Sequence, residues 1–168
     1  MSYQSHQQAG HAINAACAVI TLSDTRTPET DRSGPTIQQL LQSAGHTIAQ
    51  YHLIPDDPAL LEPLLNQLLH DPSIDCIITN GGTGISPRDQ TIDIISRHIT
   101  LPLPGFGELF RMLSFEQIQS GAMLSRAHGG IAHHKPLFAL PGSTNAVELA
   151  LTRLILPELR HLLAELEK

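Results

Sequence analysis

Four short apolar runs, separated by segments with helical periodicity, constrain the fold of this chain more than any other feature. Each run has the length of a strand and the apolar content expected of a strand that is buried on both faces. The runs are residues 15–23, 46–55, 74–79 and 135–142. Strands that alternate with helices predict an α/β fold, a three-layer α/β/α sandwich around a mostly parallel sheet.

Start and stop signals bound the helical segments between these runs. The first helix should end at Gly45, and Asp57-Pro58 has the residue types of an N-cap and a first helical position. We predict further helices over residues 87 to about 98 and from Gly105 to 118. In the last helix, Pro157 should cause a kink or a restart, because proline interrupts the helical hydrogen bonds.

Length and composition fit one domain with a real core, since the chain has 168 residues and 41% of them are hydrophobic. We expect residues 1–14 to be a flexible N-terminal tail and residues 15–168 to form a single domain. Cys17 and Cys76 lie in strand-like runs, which is typical of buried, reduced thiols.

Charge and hydropathy exclude two classes of partner. A formal net charge of −6 and the lack of a basic run predict no nucleic-acid partner. The first residues lack the apolar core of a signal peptide, and no apolar run approaches the roughly 20 residues that span a bilayer. We therefore expect a cytoplasmic protein without a membrane partner.

Small polar or acidic residues follow four of the predicted strands. In open α/β sheets the ligand lies off the carboxyl ends of the strands, so these residues should converge on one site. The four strand ends are residues 21–24, 55–57, 79–84 and 140–143.

The third of these ends is the glycine-rich sequence TNGGTGISPRDQT, residues 79–91. Glycines allow successive N–H groups to form an anion-binding nest, and a helix starting near Pro87 would add its positive end. The sequence matches neither the P-loop nor the dinucleotide-binding fingerprint. It is either a phosphate-binding loop or a plain turn between a strand and a helix.

Asp56 and Asp89 are the candidate metal ligands. Two carboxylates from separate strand ends suit Mg²⁺, which keeps several waters and takes one or two protein ligands. Both also have a structural interpretation. Asp89 would lie in the first turn of a helix, where the dipole favours a carboxylate, and Asp56 precedes the N-cap Asp57.

Three other groups are weaker candidates. His133-His134 are adjacent, and that spacing does not suit zinc. Arg126 of Ser125-Arg126 could anchor a phosphate or form a surface ion pair. An apolar cluster within residues 106–115 could belong to the core or to a subunit interface; its members are Phe106, Phe110, Met112, Leu113 and Phe115.

Six motifs together resemble the molybdenum cofactor biosynthesis B / molybdopterin adenylyltransferase family, to which the gephyrin-type domain also belongs. The resemblance covers about residues 15–165, and FRMLSFEQI is closer to the B branch. The motifs are DTRTPETDRSGPTI, IPDD, TNGGTGISPRD, LPGFGELFRMLS, AMLSR and LPGSTNAV.

The resemblance implies an α/β/α sandwich of the molybdopterin-binding, gephyrin-domain-like fold, assembled as a homotrimer or homohexamer. It also implies a nucleotidyltransferase reaction. The terminal phosphate of molybdopterin attacks the α-phosphate of Mg-ATP, pyrophosphate leaves, and the adenylylated product is ready for molybdate insertion. A molybdenum-insertion protein is an expected partner. Mg²⁺ would accompany ATP as co-substrate, and no tightly bound cofactor is expected.

Roles for individual residues follow from the same resemblance. Asp56 and Asp89 would be catalytic and hold Mg²⁺, and Arg88 or Arg126 would help to neutralise charge. The residues implied on the nucleotide side are Gly81, Gly82, Thr83, Gly84, Asp31, Ser33, Gly34, Pro141, Gly142, Ser143 and Asn145. Those implied on the molybdopterin side are Thr21, Ser23, Asp24, Ser125 and Arg126.

Three residues depart from the family pattern, namely Asn80, Asp93 and Ser143, and none of them removes a carboxylate of the implied site. The leading interpretation is an active molybdopterin adenylyltransferase. The alternative is a non-catalytic molybdopterin-binding or scaffold protein of the same pathway. A third possibility is another nucleotidyl- or phosphate-binding enzyme on the same scaffold.

Overall fold

A six-stranded mixed sheet forms the centre of the computed structural model, which describes residues 13–87 and 89–168. The strands lie in the order β2-β1-β3-β6-β5-β4, with the first four parallel and β5 and β4 antiparallel to their neighbours. Their bounds are β1 Ala16–Leu22, β2 Thr47–Ile54, β3 Cys76–Asn80, β4 Leu101–Pro102, β5 His128–Ala132 and β6 Lys135–Leu140.

Six α-helices occur in the described part of the chain. They are α1 Ser33–Ser43, α2 Pro58–His70, α3 Thr91–His98, α4 Pro104–Ile118, α5 Thr144–Ala150 and α6 Leu156–Leu166. A 3₁₀ segment, Gln119–Leu124, follows α4, and a π-helical turn, Leu151–Ile155, separates α5 from α6. None of the helices among the described residues is both long and apolar enough to cross a membrane.

Two apolar cores lie on opposite faces of the sheet, which confirms the α/β/α arrangement. Successive residues of a strand point to opposite faces, so Val19 of β1 packs into one core and Ile20 into the other. Helices α1, α4, α5 and α6 cover the first core, and α2 and α3 cover the second. The burial of strand side chains on both faces explains the continuous apolar runs in the sequence.

Cys17 and Cys76 are free, fully buried and directly opposite each other in the register of β1 and β3. The expectation of buried, reduced thiols is therefore confirmed. The neighbouring Cys17 thiol, together with burial, raises the pKa of the Cys76 thiol well above its ordinary value.

The two antiparallel strands were not predicted from the sequence. β5 contains the pair Gly129-Gly130 and only one bulky apolar residue, so it lacks the composition of a strand. It pairs with β6 through a two-residue turn at His133-His134, where both residues have positive φ. Positive φ at both positions is the signature of the type I′ hairpin turn. This turn accounts for the adjacent histidines without a metal.

The helix predicted over residues 87–98 begins four residues later than expected, at Thr91. Before this helix, the Asp89 N–H donates to the Ser86 carbonyl at 2.9 Å. The Ser86 N–H donates in return to Asp89 Oδ2 at 2.8 Å. The prediction that Asp89 lies in the first turn of a helix was therefore wrong. Arg88 lies outside the described residues.

Several local predictions are confirmed. Asp57 caps α2 by accepting a hydrogen bond from the Ala59 N–H at 2.9 Å, and Gly45 follows α1 with φ +87°. The π-helical turn precedes Pro157 and includes Arg153, whose carbonyl the proline ring would meet in a continuous α-helix. The tail boundary at residue 14 stays a prediction, because residues 1–12 lie outside the described part and Ile13 packs against the first core.

We predict that His46 makes folding stability depend on pH. His46 is buried, and its Nδ1 accepts a hydrogen bond from the Ala15 N–H at 3.1 Å, which requires an unprotonated Nδ1. Burial and the positive charge of Arg160 lower its pKa below the ordinary value of 6.5. As the pH falls below 6.5 the unfolded chain binds the proton first, so the free energy of unfolding decreases towards the lower folded-state pKa.

Urea unfolding between about pH 8 and about pH 5 measures this effect in the wild type and in His46→Gln. The substitution removes the titrating group, so the wild type should lose more stability than the variant on acidification. Parallel stability curves for the two proteins would contradict the prediction.

Candidate functional site

A cleft of about 420 Å³ opens where β3 and β6 end. The glycine loop after β3 and the loop after β6 form one side, as expected for a ligand site at the carboxyl ends of parallel strands. Helix α4 and the 3₁₀ segment supply the other side. The predicted site residues that line this cleft are Gly81, Gly82, Thr83, Gly84, Asp89, Ser125, Pro141, Gly142 and Ser143.

Two glycines allow the loop after β3 to fit against its neighbours. Gly81 has φ +105°, and a Cβ at this position would overlap the carbonyl oxygen of Leu22. Its N–H donates to the Leu140 carbonyl at 3.0 Å. Gly82 has φ +62°, and a Cβ there would overlap Oγ1 of Thr91. Both φ values lie in the region that favours glycine, so the loop backbone is fixed between β1, β6 and α3.

Asp56 lies behind the loop, against Gly82. A Cβ on Gly82 would lie 2.7 Å from Asp56 Oδ1, so the absence of a side chain lets the carboxylate approach the loop backbone. Thr91 Oγ1 donates to the same oxygen at 3.3 Å, and the Asp56 N–H donates to Asp24 Oδ1 at 3.1 Å. Asp56 is half-buried and does not line the cleft.

Asp89 lines the cleft and lies five residues after Gly84 in the sequence. A Cβ on Gly84 would lie 2.8 Å from Asp89 Oδ2, so this carboxylate also packs against a glycine. The two predicted metal ligands are thus associated with the two ends of the Gly82–Gly84 segment.

No group of three or more possible metal ligands occurs in residues 13–87 and 89–168. A metal ion here would have to take one or two carboxylate oxygens from the protein and the remaining ligands from water or substrate. Mg²⁺ binds in this way, whereas structural zinc and calcium sites need more protein ligands. Two carboxylates beside one glycine segment are compatible with the few protein ligands that Mg²⁺ takes, and the magnesium site itself stays a prediction.

Arg126 connects the glycine loop to α3 and does not line the cleft. Its Nε donates to the Gly84 carbonyl at 2.8 Å, another guanidinium nitrogen donates to the Asp89 carbonyl, and an ion pair joins it to Asp93 at 3.3 Å. These contacts of Arg126 are all made to the protein itself, and phosphate binding by this residue stays a prediction. Ser125 lines the cleft, and its Oγ accepts a hydrogen bond from the Ala127 N–H at 3.3 Å.

Asp31 is the centre of a buried polar network beside the cleft. Its carboxylate accepts hydrogen bonds from side-chain hydroxyls, from backbone N–H groups at the start of α1 and from a guanidinium; the donors are Thr21, Tyr51, Ser33, Gly34 and Arg26. Burial acts to raise the pKa of Asp31, but the hydrogen bonds outweigh it and hold the pKa below its ordinary value. Burial and the bond to Asp31 raise the pKa of Tyr51 to about 12.

The same network extends to two loops of the cleft. Ser33 Oγ lies 2.8 Å from Asn80 Oδ1, and Asn80 Nδ2 donates to Thr21 Oγ1 at 3.0 Å, which fixes the last residue of β3. Arg26 donates to the Gly142 carbonyl at 2.6 Å and so holds the loop after β6. Thr21, Asp31, Ser33 and Gly34 make these internal contacts and do not line the cleft. Their contact with a ligand stays a prediction.

Three other predicted residues also lie away from the cleft lining. Ser23 Oγ accepts hydrogen bonds from the N–H groups of Thr25 and Arg26, which is a local turn. Asp24 accepts the hydrogen bond from the Asp56 N–H described above. Asn145 is exposed on α5, in a separate polar groove.

Sequence reasoning did not assign a role to Arg26, Tyr51 or Thr91, although each contacts a predicted site residue. Arg26 lies in a loop rich in charges, where no pattern distinguishes it. Tyr51 lies on the neighbouring strand, and only the pairing of β1 with β2 brings it to Asp31. Thr91 begins α3 and could have been identified only with the correct helix start.

Comparison with known proteins identifies one family. The family model described as "Probable molybdopterin binding domain" matches residues 18–161. The molybdenum cofactor biosynthesis protein B of Bacillus anthracis is 48% identical over 90% of both chains. The protein of the same name from Bacillus subtilis is 46% identical over 100% of this chain and 99% of the relative.

Solved structures agree with the sequence comparison. A crystal structure of a molybdenum cofactor biosynthesis protein B superposes with a TM-score of 0.89 at 46% identity, covering 92% of this chain and 97% of the other. A tungsten cofactor synthesizing protein from Pyrococcus furiosus superposes with a TM-score of 0.82 at 32% identity, covering 92% and 98%. The prediction of the molybdopterin-binding fold is confirmed.

We predict that Gly81→Ala destabilises the protein by about 2 kcal/mol or more, because the new Cβ would overlap a backbone carbonyl at a positive φ. Gly105→Ala is the matched control, since nothing lies within 4 Å of its Cβ position at the start of α4. The control should change stability by less than about 1 kcal/mol. Chemical denaturation measures both effects, and similar stabilities for the two variants would contradict the prediction.

Proposed function

The chain belongs to the molybdopterin-binding domain family, and on that premise we propose that it is a molybdopterin adenylyltransferase. Membership gives the chain a role in molybdenum cofactor biosynthesis. The proposed reaction is the transfer of AMP from Mg-ATP to the terminal phosphate of molybdopterin, with release of pyrophosphate.

The observation that carries the proposal is the association of two carboxylates with one glycine segment. Asp89 lines the cleft beside Gly84, and Asp56 lies against Gly82 from behind. Phosphoryl-type transfer depends on positioning and charge neutralisation more than on covalent participation of the protein. A rigid loop with acidic groups at both ends supports binding of a magnesium-bound triphosphate.

The charges at the cleft support a nucleotide that brings its own cation. Among the described residues that line the cleft, Asp89 is the one charged side chain, and none is Lys or Arg. The nearby guanidinium of Arg126 donates to loop carbonyls and to Asp93. The terminal phosphate of molybdopterin and the triphosphate of ATP are both negatively charged. They would repel each other in such a cleft unless Mg²⁺ neutralised part of this charge. Asp56 and Asp89 would hold that ion and thereby orient the α-phosphate.

We predict that Asp89→Asn and Asp56→Asn lower the rate of product formation by about 100-fold or more, because each removes a carboxylate of the magnesium site. Purified protein with molybdopterin and Mg-ATP should give adenylylated molybdopterin and pyrophosphate, quantified by chromatography. Asp57→Asn is the matched control, since Asn is an equally good N-cap for α2 and the position is adjacent to Asp56.

The outcomes separate the two functions. Activity of the wild type, loss in the two variants and retention in the control would support the transferase. A wild type that binds molybdopterin but gives no product would instead favour the non-catalytic binding or scaffold protein. In that case Asp89→Asn should leave the affinity for molybdopterin unchanged.

We also propose that the protein assembles as a homotrimer or homohexamer through the outer face of α4. The apolar cluster of residues 106–115 divides into two parts. Phe106 and Phe110 belong to the core, whereas Leu109, Met112 and Phe115 are 46%, 57% and 52% exposed at intervals of three residues. A row of exposed apolar side chains on one helix face is typical of a subunit contact.

Phe115→Glu should weaken this assembly, because it introduces a charge in the middle of an apolar contact. Size-exclusion chromatography with light scattering should show a trimer or hexamer for the wild type and smaller species for the variant. Gln117→Glu is the control. Gln117 is exposed on the same helix, and the substitution adds the same negative charge. A monomeric wild type would refute the assembly.

A further inference from the structure

Ser114 occupies the point at which the inner face of α4 passes from the core to the cleft. Phe106, Phe110 and Ser114 follow one another at intervals of four residues and are buried, so they share one helix face. Phe110 packs in the first core, and Ile118, one turn after Ser114, is exposed and lines the cleft. Ser114 is 6% exposed and lines the cleft as well.

The hydroxyl of Ser114 has no hydrogen-bond partner within residues 13–87 and 89–168. A helical serine usually bonds the carbonyl four residues before it, here that of Phe110. The Ser114 hydroxyl is not among the fully buried side-chain atoms without a partner in the described residues, so it keeps contact with the open cleft. Serine is also a weaker helix former than alanine. For folding alone, alanine would serve better at this position. The hydroxyl is therefore available to a bound ligand.

The wall around Ser114 is apolar. Phe110 and Ile118 of α4 line the cleft on this side, together with Leu124 of the 3₁₀ segment. The glycine loop lies on the other side, with the buried Thr83. A cleft with one polar and one apolar wall suits a ligand that combines phosphate with a flat ring system.

We propose that Ser114 is a specificity-determining residue, whose hydroxyl binds a ring heteroatom of a planar nitrogen heterocycle lying against Phe110, Ile118 and Leu124. The inference rests on the proposed function for its two candidate heterocycles, the pterin of molybdopterin and the adenine of ATP. It deepens that function by assigning a wall of the cleft and a residue to ring recognition.

Ser114→Ala tests this role with two ligands and one stability measurement. Isothermal titration calorimetry with molybdopterin and with Mg-ATP should show affinity for one ligand reduced about 3- to 10-fold, as for one lost hydrogen bond, and the other unchanged. The ligand that binds more weakly is the one whose ring lies against this wall. The Tm of the variant should equal or exceed that of the wild type, because alanine is the better helix former and no hydrogen bond between described residues is lost.

Ser96→Ala is the matched control, since it makes the same change on an exposed position of α3. Unchanged binding of both ligands to Ser114→Ala, an equal loss for both, or a lower Tm than the wild type would each overturn the proposal. Wild-type binding of both ligands without adenylylated product would refute the transferase and leave the ring-recognition test valid. A wild type that bound neither ligand would overturn both.

Discussion

The buried carboxylate of Asp31 is the interaction on which the geometry of the cleft depends. It joins the loop after β1 to Tyr51 of β2 and to the start of α1. Through Ser33 the network continues to Asn80 at the end of β3, and through Arg26 to Gly142 after β6. The ends of β1, β3 and β6 are thus connected through one group, which keeps its charge because its hydrogen bonds offset the cost of burial.

Helix α4 contributes to the core, to the wall of the cleft and to the exposed apolar surface. Its inner face carries Phe106 and Phe110 into the core, and its last turns form the apolar wall of the cleft. Its outer face leaves Met112 and Phe115 uncovered. A subunit contact through this outer face would hold the helix from both sides. The shape of the cleft would then depend on assembly as well as on the fold of one chain.

The sequence predicted the parallel half of the sheet well, because strands buried on both faces produce continuous apolar runs. It did not predict β5, in which Gly129-Gly130 and a terminal histidine replace the expected β-branched residues. The start of α3 was placed too early because Pro87 is a common first helical residue. Instead, the Asp89 side chain accepts a hydrogen bond from the Ser86 N–H ahead of the helix.

For the candidate site, the motifs identified the loops, and nine of the predicted residues line the cleft. The sequence could not distinguish residues that line a cleft from residues that hold its loops in place. Asp31 and Arg126 have the same residue types as ligand-binding groups, but their hydrogen bonds are directed to the protein. Such a distinction depends on tertiary contacts between residues far apart in the chain, and a motif does not contain it.

The two free cysteines that face each other in the sheet allow its opening to be measured. Cys17 and Cys76 face each other across the central strands β1 and β3 and are fully shielded from solvent. A thiol-alkylating reagent reaches them only when these strands separate, since the thiolate must form in contact with water. Labelling kinetics of the unmodified protein therefore report the opening of its most protected part, and no introduced probe is needed.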